Sequence, residues 1–539
     1  MGPAISPGPL TSCSSHNFLG RVEMYPGNFV KEQPDKPAVI MAGSGEMQTY
    51  KELDDRSAQL AQMLHSVGLR RGDNVALFAE NDIRYFEIFW AAMRSGLYLT
   101  TINRYLSADE AAYLVNDSGA DVLIASRAMA ETATTMLTLI PGCKTRLMFN
   151  GVVEGFEVYD DALAGFPADP LADQTRGEAM LYSSGTTGRP KGIKRQLSGL
   201  KVDDPPTYEP LVQRLFQIEQ SSVYLCPAPL YHAAGLMWSA RSQEMGATVV
   251  VMEKFDAEGF LATIEAQRIT HTQVVPTMLV RLIKLPEETR QKYDLSSLKM
   301  VIHAAAPCPI EVKKKTIEWL GPIVTEHYSS TEGSGMTLIS SQEWLSHPGS
   351  VGRSIQGEIH ICDEDGVELA VGEPGIIYCE TPWGAFEYFG DPEATRESRH
   401  PVHDSWTKVG DIGYVDEEGY LYLSDRQAFM IISGGVNIYP AEIESCLIMH
   451  DAVVDVAVFG LPDDEMGEYV HAVIQPAEGF EGGSTELAAE LREFARERLA
   501  AYKVPRIVDF QDELPRLPTG KLYKRPLRAE YLAKMATHD

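Results

Sequence analysis

The chain has 539 residues, too many for a single hydrophobic core, so we expect two or more domains. Its 44% apolar and 23% charged residues are typical of a soluble globular protein. The formal net charge of −29 argues against a surface that binds polyanions, so we expect no nucleic-acid partner. A bound nucleotide would need basic side chains placed locally.

The cysteines and the hydropathy pattern both favour a cytoplasmic protein. The seven cysteines are scattered without a CxxC pair, which favours reduced thiols over a disulfide framework or a zinc site. The N-terminus lacks a basic segment followed by an apolar run, and no apolar stretch reaches the length of a membrane span. We therefore predict a cytoplasmic protein with neither a signal peptide nor a transmembrane segment.

The first third of the chain predicts alternating helices and strands. Thr49 and Glu52 have capping-box spacing at the start of a helix whose apolar stripe runs to Val67. Residues 74–79 then predict a buried strand, and residues 82–95 a second amphipathic helix followed by another strand. This alternation is typical of a layered α/β domain with largely parallel strands.

The same pattern returns after an irregular stretch at residues 198–212. Residues 223–225, 247–252 and 298–303 predict further strands, and residues 309–319 predict a charged helix. The layered α/β region therefore extends well past the middle of the chain.

The last two fifths of the chain predict two smaller units. Residues 349–425 are rich in Gly, Pro and short β-like runs, which indicates a β-rich subdomain. We place a domain boundary near residue 425, with an N-terminal domain at 1–425 and a smaller, mobile α+β domain at 426–539. The predicted fold class is thus α/β with layered sheets, a β-rich subdomain and an α+β C-terminal domain. One C-terminal helix is expected to carry on one apolar face Leu491, Phe494, Ala495, Leu499 and Tyr502.

Residues 182–192 have the composition of a phosphate-binding loop. They contain three glycines, four serine or threonine hydroxyls, one proline and one lysine. Glycines allow close approach of the backbone, while N–H groups, hydroxyls and the Lys191 charge can bind anionic oxygens. The common ATPase order of Gly-Lys-Ser/Thr is absent, because Lys191 lies between Pro190 and Gly192. On composition alone, a phosphate site and a flexible surface turn both stay open.

Four further motifs follow the loop. They are residues 328–332, residues 409–411, Asp425-Arg426 with residues 433–435, and residues 518–521. In this order the five motifs resemble the adenylate-forming superfamily of acyl-CoA synthetases, luciferases and peptide-synthetase adenylation domains. The resemblance covers essentially the whole chain after residue 20, and the combination is specific although each motif alone is weak. The acyl-CoA synthetase branch is the best match.

The resemblance implies an ATP site. The loop would close over the β- and γ-phosphates, Tyr328 would stack on adenine, Asp411 would accept the ribose hydroxyls, and Arg426 would contact ribose and phosphate. The full set of implied ATP contacts is Ser183, Ser184, Gly185, Thr186, Thr187, Gly188, Lys191, Ala305, Ala306, Pro307, His327, Tyr328, Ser329, Ser330, Thr331, Asp411, Arg426 and Lys521. The sequence departs from the family pattern at Ser329, where glycine is usual, and at residues 304–306, where alanines replace glycines.

The resemblance also implies the catalytic residues Lys521, Thr331, Glu332 and His232. Thr331 would contact the α-phosphate, and the Glu332 carboxylate would hold Mg²⁺, a cation that prefers oxygen ligands. Lys521 would stabilise the charge that develops between the attacking carboxylate and the α-phosphate. Without its motif, Lys521 would be read as one more exposed lysine of a basic tail.

A second half-reaction with coenzyme A is implied for the C-terminal domain. After the adenylate forms, that domain would turn about a hinge and present Ser433, Gly434 and Gly435 to the pantetheine arm. The hinge position is occupied by Ala428, where the family usually has Asp or Lys, and Phe429 replaces a common acidic residue.

An apolar acyl pocket is implied beside the ATP site. Its members would be His232, Trp238, Ala304, Gly333, Gly335 and Met336. This pocket favours a medium- to long-chain or bulky hydrophobic acid over acetate. The small-molecule partners are thus a carboxylic acid, ATP, Mg²⁺ and coenzyme A, while the exact acid, the pathway and a homodimer stay open.

Four alternatives remain beside a CoA ligase. An amino-acid adenylating enzyme is disfavoured, because residues 231–238 contain no aspartate to pair with a substrate ammonium and no carrier segment follows Lys521. A luciferase-like enzyme, or a stand-alone adenylating enzyme with another acceptor, is not separated by these motifs. A non-enzymatic ATP-binding protein is disfavoured, since Lys191, Glu332, Asp411 and Lys521 all occupy their motif positions.

Overall fold

The structure, a computed structural model, describes residues 25–183, 190–204, 215–382, 384–426, 429–434, 436–463, 465–480, 482–516 and 522–536. The side chains of Asp425, Arg426 and Ala536 are not part of that description. The predicted site residues that lie outside the described residues are Ser184, Gly185, Thr186, Thr187, Gly188, Ala428, Gly435 and Lys521. Residues 205–212 of the irregular stretch and the side chain of Arg426 lie outside as well.

The elements of the described residues are numbered in chain order. The strands are β1 Pro37–Met41, β2 Met47–Thr49, β3 Asn74–Phe78, β4 Tyr98–Ile102, β5 Ala120–Ser126, β6 Thr145–Phe149, β7 Glu157–Val158, β8 Glu178–Ala179, β9 Leu181–Ser183, β10 Lys191–Ile193, β11 Val223–Cys226, β12 Thr248–Val251, β13 His271–Val274, β14 Met300–His303, β15 Val324–Ser329, β16 Met336–Ser340, β17 Ser350–Gln356, β18 Glu358–Cys362, β19 Gly375–Glu380, β20 Trp406–Val415, β21 Leu421–Arg426, β22 Ile431–Ser433, β23 Val436–Ile438, β24 Val453–Asp463, β25 Gly467–Pro476 and β26 Ile507–Phe510. The α-helices are α1 Pro26–Phe29, α2 Tyr50–Ser66, α3 Arg84–Arg94, α4 Ala108–Ser118, α5 Ala130–Met136, α6 Tyr159–Ala164, α7 Ala233–Glu244, α8 Ala257–Gln267, α9 Pro276–Ile283, α10 Glu287–Gln291, α11 Ile310–Leu320, α12 Ser341–Ser346, α13 Pro392–Glu397, α14 Pro440–Leu447, α15 Thr485–Arg496 and α16 Lys524–Ala536.

A six-stranded sheet confirms the parallel α/β arrangement predicted for the first third of the chain. Its order is β7-β6-β5-β3-β4-β8, and each neighbouring pair is parallel. The capping box predicted for α2 is present, since the Thr49 backbone N–H donates to the Glu52 carboxylate at 2.8 Å and the Glu52 N–H donates to the Thr49 hydroxyl at 3.2 Å. Capping residues of this kind fix where a helix begins.

Alternate residues of a strand pack into different hydrophobic cores, and this alternation shows how the layers of the fold are arranged. In β3, Val75 and Leu77 join a core shared with α2, α3 and α7, while Ala76 and Phe78 join the core under α4 and α5. In β12, Val249 and Val251 face the same α2, α3 and α7 layer, and Val250 faces α8. Helices therefore cover both faces of two stacked sheets, as expected for buried parallel strands.

The second sheet has 13 strands in the order β18-β19-β20-β21-β17-β16-β15-β14-β13-β11-β12-β1-β2. In the part of the sheet ordered β1-β12-β11-β13-β14-β15, each pair of neighbouring strands is parallel. From β15 to β18 every pair is antiparallel. The predicted β-rich subdomain is thus a continuation of the parallel sheet, and the turn between β15 and β16 lies where the two patterns meet.

The C-terminal region forms its own five-stranded sheet. Its order is β23-β22-β25-β24, with β26 beside β25, and α14 and α16 pack on β24. The predicted helix face in this region is wrong at its end. The helix stops at Arg496, and Tyr502, which is 53% exposed, lies in a separate 3₁₀ turn, Ala501–Lys503. No helix among the described residues is long and apolar enough to cross a membrane.

Candidate active site

A cavity of about 2010 Å³ lies between the 13-stranded sheet, the β9–β10 hairpin and the C-terminal region. Its lining includes side chains from β15, β20 and α7, and others from α14 and α16. The predicted site residues that line it are Ser183, Lys191, His232, Trp238, Ala304, Ala305, Ala306, Pro307, His327, Tyr328, Ser329, Ser330, Thr331, Glu332, Gly333, Gly335, Met336 and Asp411. The structure therefore brings most of the described candidates to one cavity, although they are spread over more than two hundred positions of the chain.

The described ends of the phosphate-loop motif form a two-stranded hairpin. Ser183 in β9 is opposite Lys191 in β10. The Lys191 ammonium lies 5.1 Å from the ring centre of Tyr388 and 3.9 Å from a carboxylate oxygen of Asp391. Lys194 and Arg195, just after β10, also line the cavity. An acidic chain thus places three cations beside the loop, as nucleotide binding would require.

Glu332 lies at the turn between β15 and β16, where it faces the same tyrosine. The Tyr388 hydroxyl donates to Glu332 Oε1 at 3.1 Å. Among the described side chains, no lysine, arginine or histidine forms an ion pair with Glu332. A carboxylate that lines a cavity and has no cationic partner among the described side chains fits one oxygen ligand of a hard cation such as Mg²⁺.

Tyr328 and Asp411 are joined directly across the sheet. The Tyr328 hydroxyl donates to Asp411 Oδ2 at 2.7 Å, which holds the ring and the carboxylate side by side on the cavity wall. Ser329, which stands where the family usually has glycine, donates its hydroxyl proton to the Gly335 carbonyl at 2.9 Å. The serine therefore ties the two ends of the β15–β16 turn together.

The segment after β14 keeps a backbone conformation that favours glycine. Ala305 has a φ of +76°, in the left-handed region, whereas Ala304 and Ala306 do not have positive φ values. A Cβ in that region crowds the following carbonyl, so an alanine there is strained. Gly333 and Gly335 in the neighbouring turn have φ values of +77° and +82°. The alanine at position 305 therefore has a backbone conformation that suits glycine, at a conformational cost.

The predicted acyl-pocket residues line the cavity from three places, namely α7 and the residue before it, the segment after β14, and the β15–β16 turn. The face of α7 that lines the cavity carries Ala233, Ala234, Met237, Trp238 and Arg241, which is the spacing of one helical face. His232 precedes the helix, and its ring centre lies 4.5 Å from that of Tyr231. Small residues thus line the cavity at the start of the helix, and a large aromatic residue lines it further along.

His327, predicted among the ATP contacts, also lies beside two aromatic residues of this region. Its ring centre lies 5.7 Å from that of Trp238 and 6.4 Å from that of Phe216. Burial, and then the positive charge of Arg241, lower the pKa of His327 to about 4. The imidazole is therefore neutral at physiological pH.

A buried ion pair supports the opposite face of β14 and β15. Lys313 of α11, which is fully buried, donates to Glu326, and the His303 ring lies 3.5 Å from the same carboxylate. Burial raises the pKa of Glu326 and lowers that of Lys313, while the pairing opposes both shifts. Burial also lowers the pKa of His303 well below its usual range. The pair fixes α11 against the two strands whose ends carry the cavity wall.

The C-terminal region reaches the cavity with the residues that flank Lys521. Arg516 and Leu522 are paired as an isolated β-bridge, and both line the cavity. The Arg516 guanidinium makes two hydrogen bonds to the buried carboxylate of Asp455. Ser433 and Gly434 do not line the cavity. The two described residues that flank the Lys521 segment therefore face the site in this arrangement, whereas the two described members of the predicted CoA-binding set do not.

Three cavity residues carried no signal in the sequence. Arg195 donates to the Thr331 carbonyl at 3.3 Å and would have to shift to admit a side chain at Gly333, whose ideal Cβ lies 2.7 Å from its guanidinium. Tyr388 contacts both Lys191 and Glu332, as described above. Gln273 looks like any residue of a β-strand. Their placement depends on contacts between distant segments, which local spacing does not encode.

Comparison with known proteins agrees with this geometry. Residues 28–389 match the family model of the AMP-binding enzymes, and residues 442–521 match that of the AMP-binding enzyme C-terminal domain. The chain belongs to this family, the adenylate-forming superfamily, in its acyl-CoA synthetase branch.

Relatives with assigned activities cover nearly the whole chain. The long-chain fatty acid–CoA ligase FadD13 of Mycobacterium tuberculosis is 32% identical, over 93% of this chain and 96% of its own length. A feruloyl-CoA synthase of Amycolatopsis is 33% identical, over 92% of this chain and 96% of its own length. The fatty acid–[acyl-carrier-protein] ligase ScoC of Streptomyces coeruleorubidus is 30% identical, over 93% of this chain and 94% of its own length. The anthranilate CoA ligase AuaEII has the same fold, with a TM-score of 0.81 at 24% identity over 96% of this chain and 98% of its own.

Proposed function

We propose that the protein is an ATP-dependent carboxylate–CoA ligase. It forms an acyl-adenylate and pyrophosphate from ATP and a carboxylic acid, and then transfers the acyl group to the sulfur of coenzyme A. The acid is hydrophobic and larger than acetate, either a medium- to long-chain fatty acid or a bulky hydrophobic acid. The N-terminal domain, residues 1–425, carries the nucleotide and acyl sites. The C-terminal domain, residues 426–539, carries the catalytic lysine.

The observation that carries this proposal is the composition of the cavity wall. Lys191, Glu332 and Asp411 line the same cavity as Arg516 and Leu522, which flank Lys521. The set matches what adenylate formation needs, namely cations for the phosphates, a carboxylate for a metal, an acceptor for the ribose hydroxyls and a lysine for the reacting oxygens. The relatives that ligate acids to CoA at about the same chain length support the second half-reaction.

Each residue has a defined task in the first half-reaction. Lys191 and Arg195 attract the phosphates, and the paired Tyr328 and Asp411 hold the nucleoside by stacking and by hydrogen bonds to the ribose. Glu332 would hold Mg²⁺, which supplies charge neutralisation at the phosphate oxygens when bound. Thr331 donates a hydrogen bond to the α-phosphate, and Lys521 stabilises the negative charge on the reacting oxygens.

The test separates the two half-reactions with a Lys521→Ala variant. Removing a charged group that stabilises a transition state costs on the order of 10²-fold or more in rate. We expect ATP–pyrophosphate exchange to fall by at least that factor, while thioester formation from a supplied acyl-adenylate continues.

The matched control is Lys534→Ala, which removes a lysine of the same region that pairs with Glu530 on the surface of α16. It should leave both half-reactions unchanged. Equal loss of the two half-reactions in Lys521→Ala would contradict the assigned role, and absence of pyrophosphate exchange with any carboxylic acid would contradict the ligase proposal.

A different thiol acceptor is the second candidate, and the similarity to ScoC favours it. A ligase for an acyl carrier protein would share the adenylation site and differ only in what the C-terminal region binds. Thioester formation measured in parallel with coenzyme A and with a phosphopantetheinylated carrier protein distinguishes the two. A strong preference for the carrier protein would replace CoA in the proposal and leave the first half-reaction intact.

A further inference from the structure

The edge of the 13-stranded sheet carries a histidine beside two glutamates. Glu358 of β18 is directly opposite Glu380 of β19 in the antiparallel register. His360 follows Glu358 by two residues, so its side chain projects from the same face of the sheet. One carboxylate oxygen of each glutamate and one ring nitrogen of His360 all lie within 4.8 Å of one another. None of the three residues lines the cavity described above, so the cluster is distinct from the candidate active site.

The two carboxylates of this cluster lie close together without a balancing positive charge. No lysine or arginine among the described side chains forms an ion pair with Glu358 or Glu380. Like charges directly opposite each other on neighbouring strands destabilise the pairing. Glu358 is exposed but Glu380 is half-buried, so solvent screens the repulsion only in part. A cation between the two strands would remove the repulsion.

The ring of His360 is fixed by two neighbours. It stacks on the indole of Trp406, with ring centres 3.5 Å apart and planes 8° from parallel. Its Nδ1 lies 2.8 Å from a carboxylate oxygen of Glu368. Because a carboxylate only accepts hydrogen bonds, Nδ1 carries the proton, and in the neutral ring Nε2 has a free lone pair. A carboxylate behind the imidazole is the usual support of a histidine that binds a metal.

The second nitrogen of His360 is buried without a hydrogen-bond partner. The residue is only 8% exposed, and its Nε2 has no partner among the described residues. Buried polar groups are nearly always paired, so an exception indicates a ligand or an ion. Since Glu368 occupies Nδ1, Nε2 is the nitrogen that is available to a ligand. That ligand has to accept a lone pair and balance two negative charges, and a divalent metal ion meets both requirements.

The cluster reaches metal-binding distances after a small movement. Around a tetrahedral Zn²⁺, with bonds of about 2.0–2.2 Å to nitrogen and oxygen, neighbouring ligand atoms are about 3.3–3.6 Å apart. Atoms that lie within 4.8 Å of one another therefore have to approach by about 1.5 Å at most. Solvent does not reach Nε2 in this structure, so a side chain must move for an ion to enter. Glu358 is exposed, and its flexible side chain is free to move aside and then bind the ion.

We propose that Glu358, His360 and Glu380 bind one divalent transition-metal ion, with Zn²⁺ preferred over Mg²⁺. An imidazole nitrogen with two carboxylate oxygens suits Zn²⁺, whereas Mg²⁺ prefers oxygen ligands and retains its waters. Three protein ligands leave a fourth position to water. The ion links β18 to β19 at the edge of the sheet, close to Gly357 and Pro382, which line the cavity. It thereby cross-links two strands at the ends that adjoin the cavity wall.

The test is isothermal titration of Zn²⁺ into protein that has been freed of metal with a chelator and contains no nucleotide. The wild type should bind one Zn²⁺ at this site, and excess Mg²⁺ should not displace it. Glu358→Gln removes one ligand and should weaken the binding by about tenfold or more. The matched control is Glu364→Gln, which changes an exposed glutamate between β18 and β19 and should keep the wild-type affinity.

Two further variants distinguish this site from other zinc-binding groups of the chain. Glu368→Leu removes only the acceptor behind His360 Nδ1, and it should weaken the binding by about 10–100-fold. Glu332→Gln changes the candidate metal ligand of the active site and should leave Zn²⁺ binding unchanged.

Absence of Zn²⁺ binding by the wild type, or equal affinity of the wild type and Glu358→Gln, would overturn the inference and leave the ligase proposal standing. Loss of pyrophosphate exchange with intact Zn²⁺ binding would do the reverse. The thermal midpoint of each metal-free variant shows whether it folds, and Glu380→Gln replaces Glu358→Gln in the comparison if the latter does not.

Discussion

Replacing Ala305 by glycine should stabilise the protein, although it removes a methyl group from the cavity wall. Ala305 has a φ of +76°, and an L-residue in the left-handed region is strained by about 1–2 kcal/mol relative to glycine. Glycine in turn gives the unfolded chain more conformational freedom, which costs about 0.4–1 kcal/mol. The side chain of Ala305 is exposed to the cavity, so little packing is lost. The balance is a gain of about 0.5–1 kcal/mol.

The neighbouring residue provides the matched control. Ala306 lines the same cavity but has no positive φ, so Ala306→Gly brings only the entropic cost and should destabilise by about 0.4–1 kcal/mol. In scanning calorimetry, the midpoints of the two variants should differ by about 2 °C for a unit of this size, with Ala305→Gly the higher. If both variants lower the midpoint equally, Ala305 is not strained and the account of this wall is wrong.

Three further outcomes follow from the geometry. Arg195→Met removes the guanidinium that donates to the Thr331 carbonyl. We expect the rate of ATP–pyrophosphate exchange to fall by about tenfold while the thermal midpoint stays unchanged. An unchanged exchange rate would rule out the positioning role of Arg195. Lys313→Met leaves Glu326 buried without its lysine partner, and it should lower the free energy of unfolding in a denaturation experiment by about 3–5 kcal/mol. Adding Glu326→Gln to the same chain should restore most of that loss. Because burial lowers the pKa of His271 and His327 to about 4, the unfolded chain takes up protons that the folded chain refuses. Stability is thus complete above the unfolded pKa of about 6.5 and falls towards pH 4, by about 3 kcal/mol per histidine. His271→Gln should reduce this loss in calorimetry between about pH 7 and about pH 5, and an identical pH dependence would refute the assignment.

Local patterns predicted the elements well and their long-range order poorly. The buried strand β3 and the capped helix α2 were readable because their signals lie within a few residues. The parallel pairing of β1 with β12 could not be predicted in this way, because β12 follows more than two hundred positions later. Tyr502 was assigned to a helix because its spacing suited the apolar stripe, but the backbone leaves the helix at Arg496. Periodicity does not reveal where a helix ends when no capping residue marks it.

The candidate site divides in the same way. The motifs named Glu332 and Asp411, but their meeting on one cavity wall depends on the order of strands in the sheet. Tyr388 and Arg195 had no local signature, since each acts through contacts with distant segments. At Ala305 the sequence showed that alanine replaces a usual glycine, and the structure adds that the backbone has kept the conformation that suits glycine.

The position of Tyr388 makes two parts of the site thermodynamically dependent on each other. Its ring lies under the Lys191 ammonium and its hydroxyl donates to Glu332, so one side chain contacts the base of the phosphate loop and the candidate metal ligand. Any ligand that shifts Lys191 and thereby moves this ring changes the free energy of the Glu332 carboxylate. Linkage requires the effect to be reciprocal, so a cation at Glu332 would change the affinity of the loop for an anion by the same factor. If an anion at the loop favours the cation, its departure must weaken the binding of the cation by that same factor.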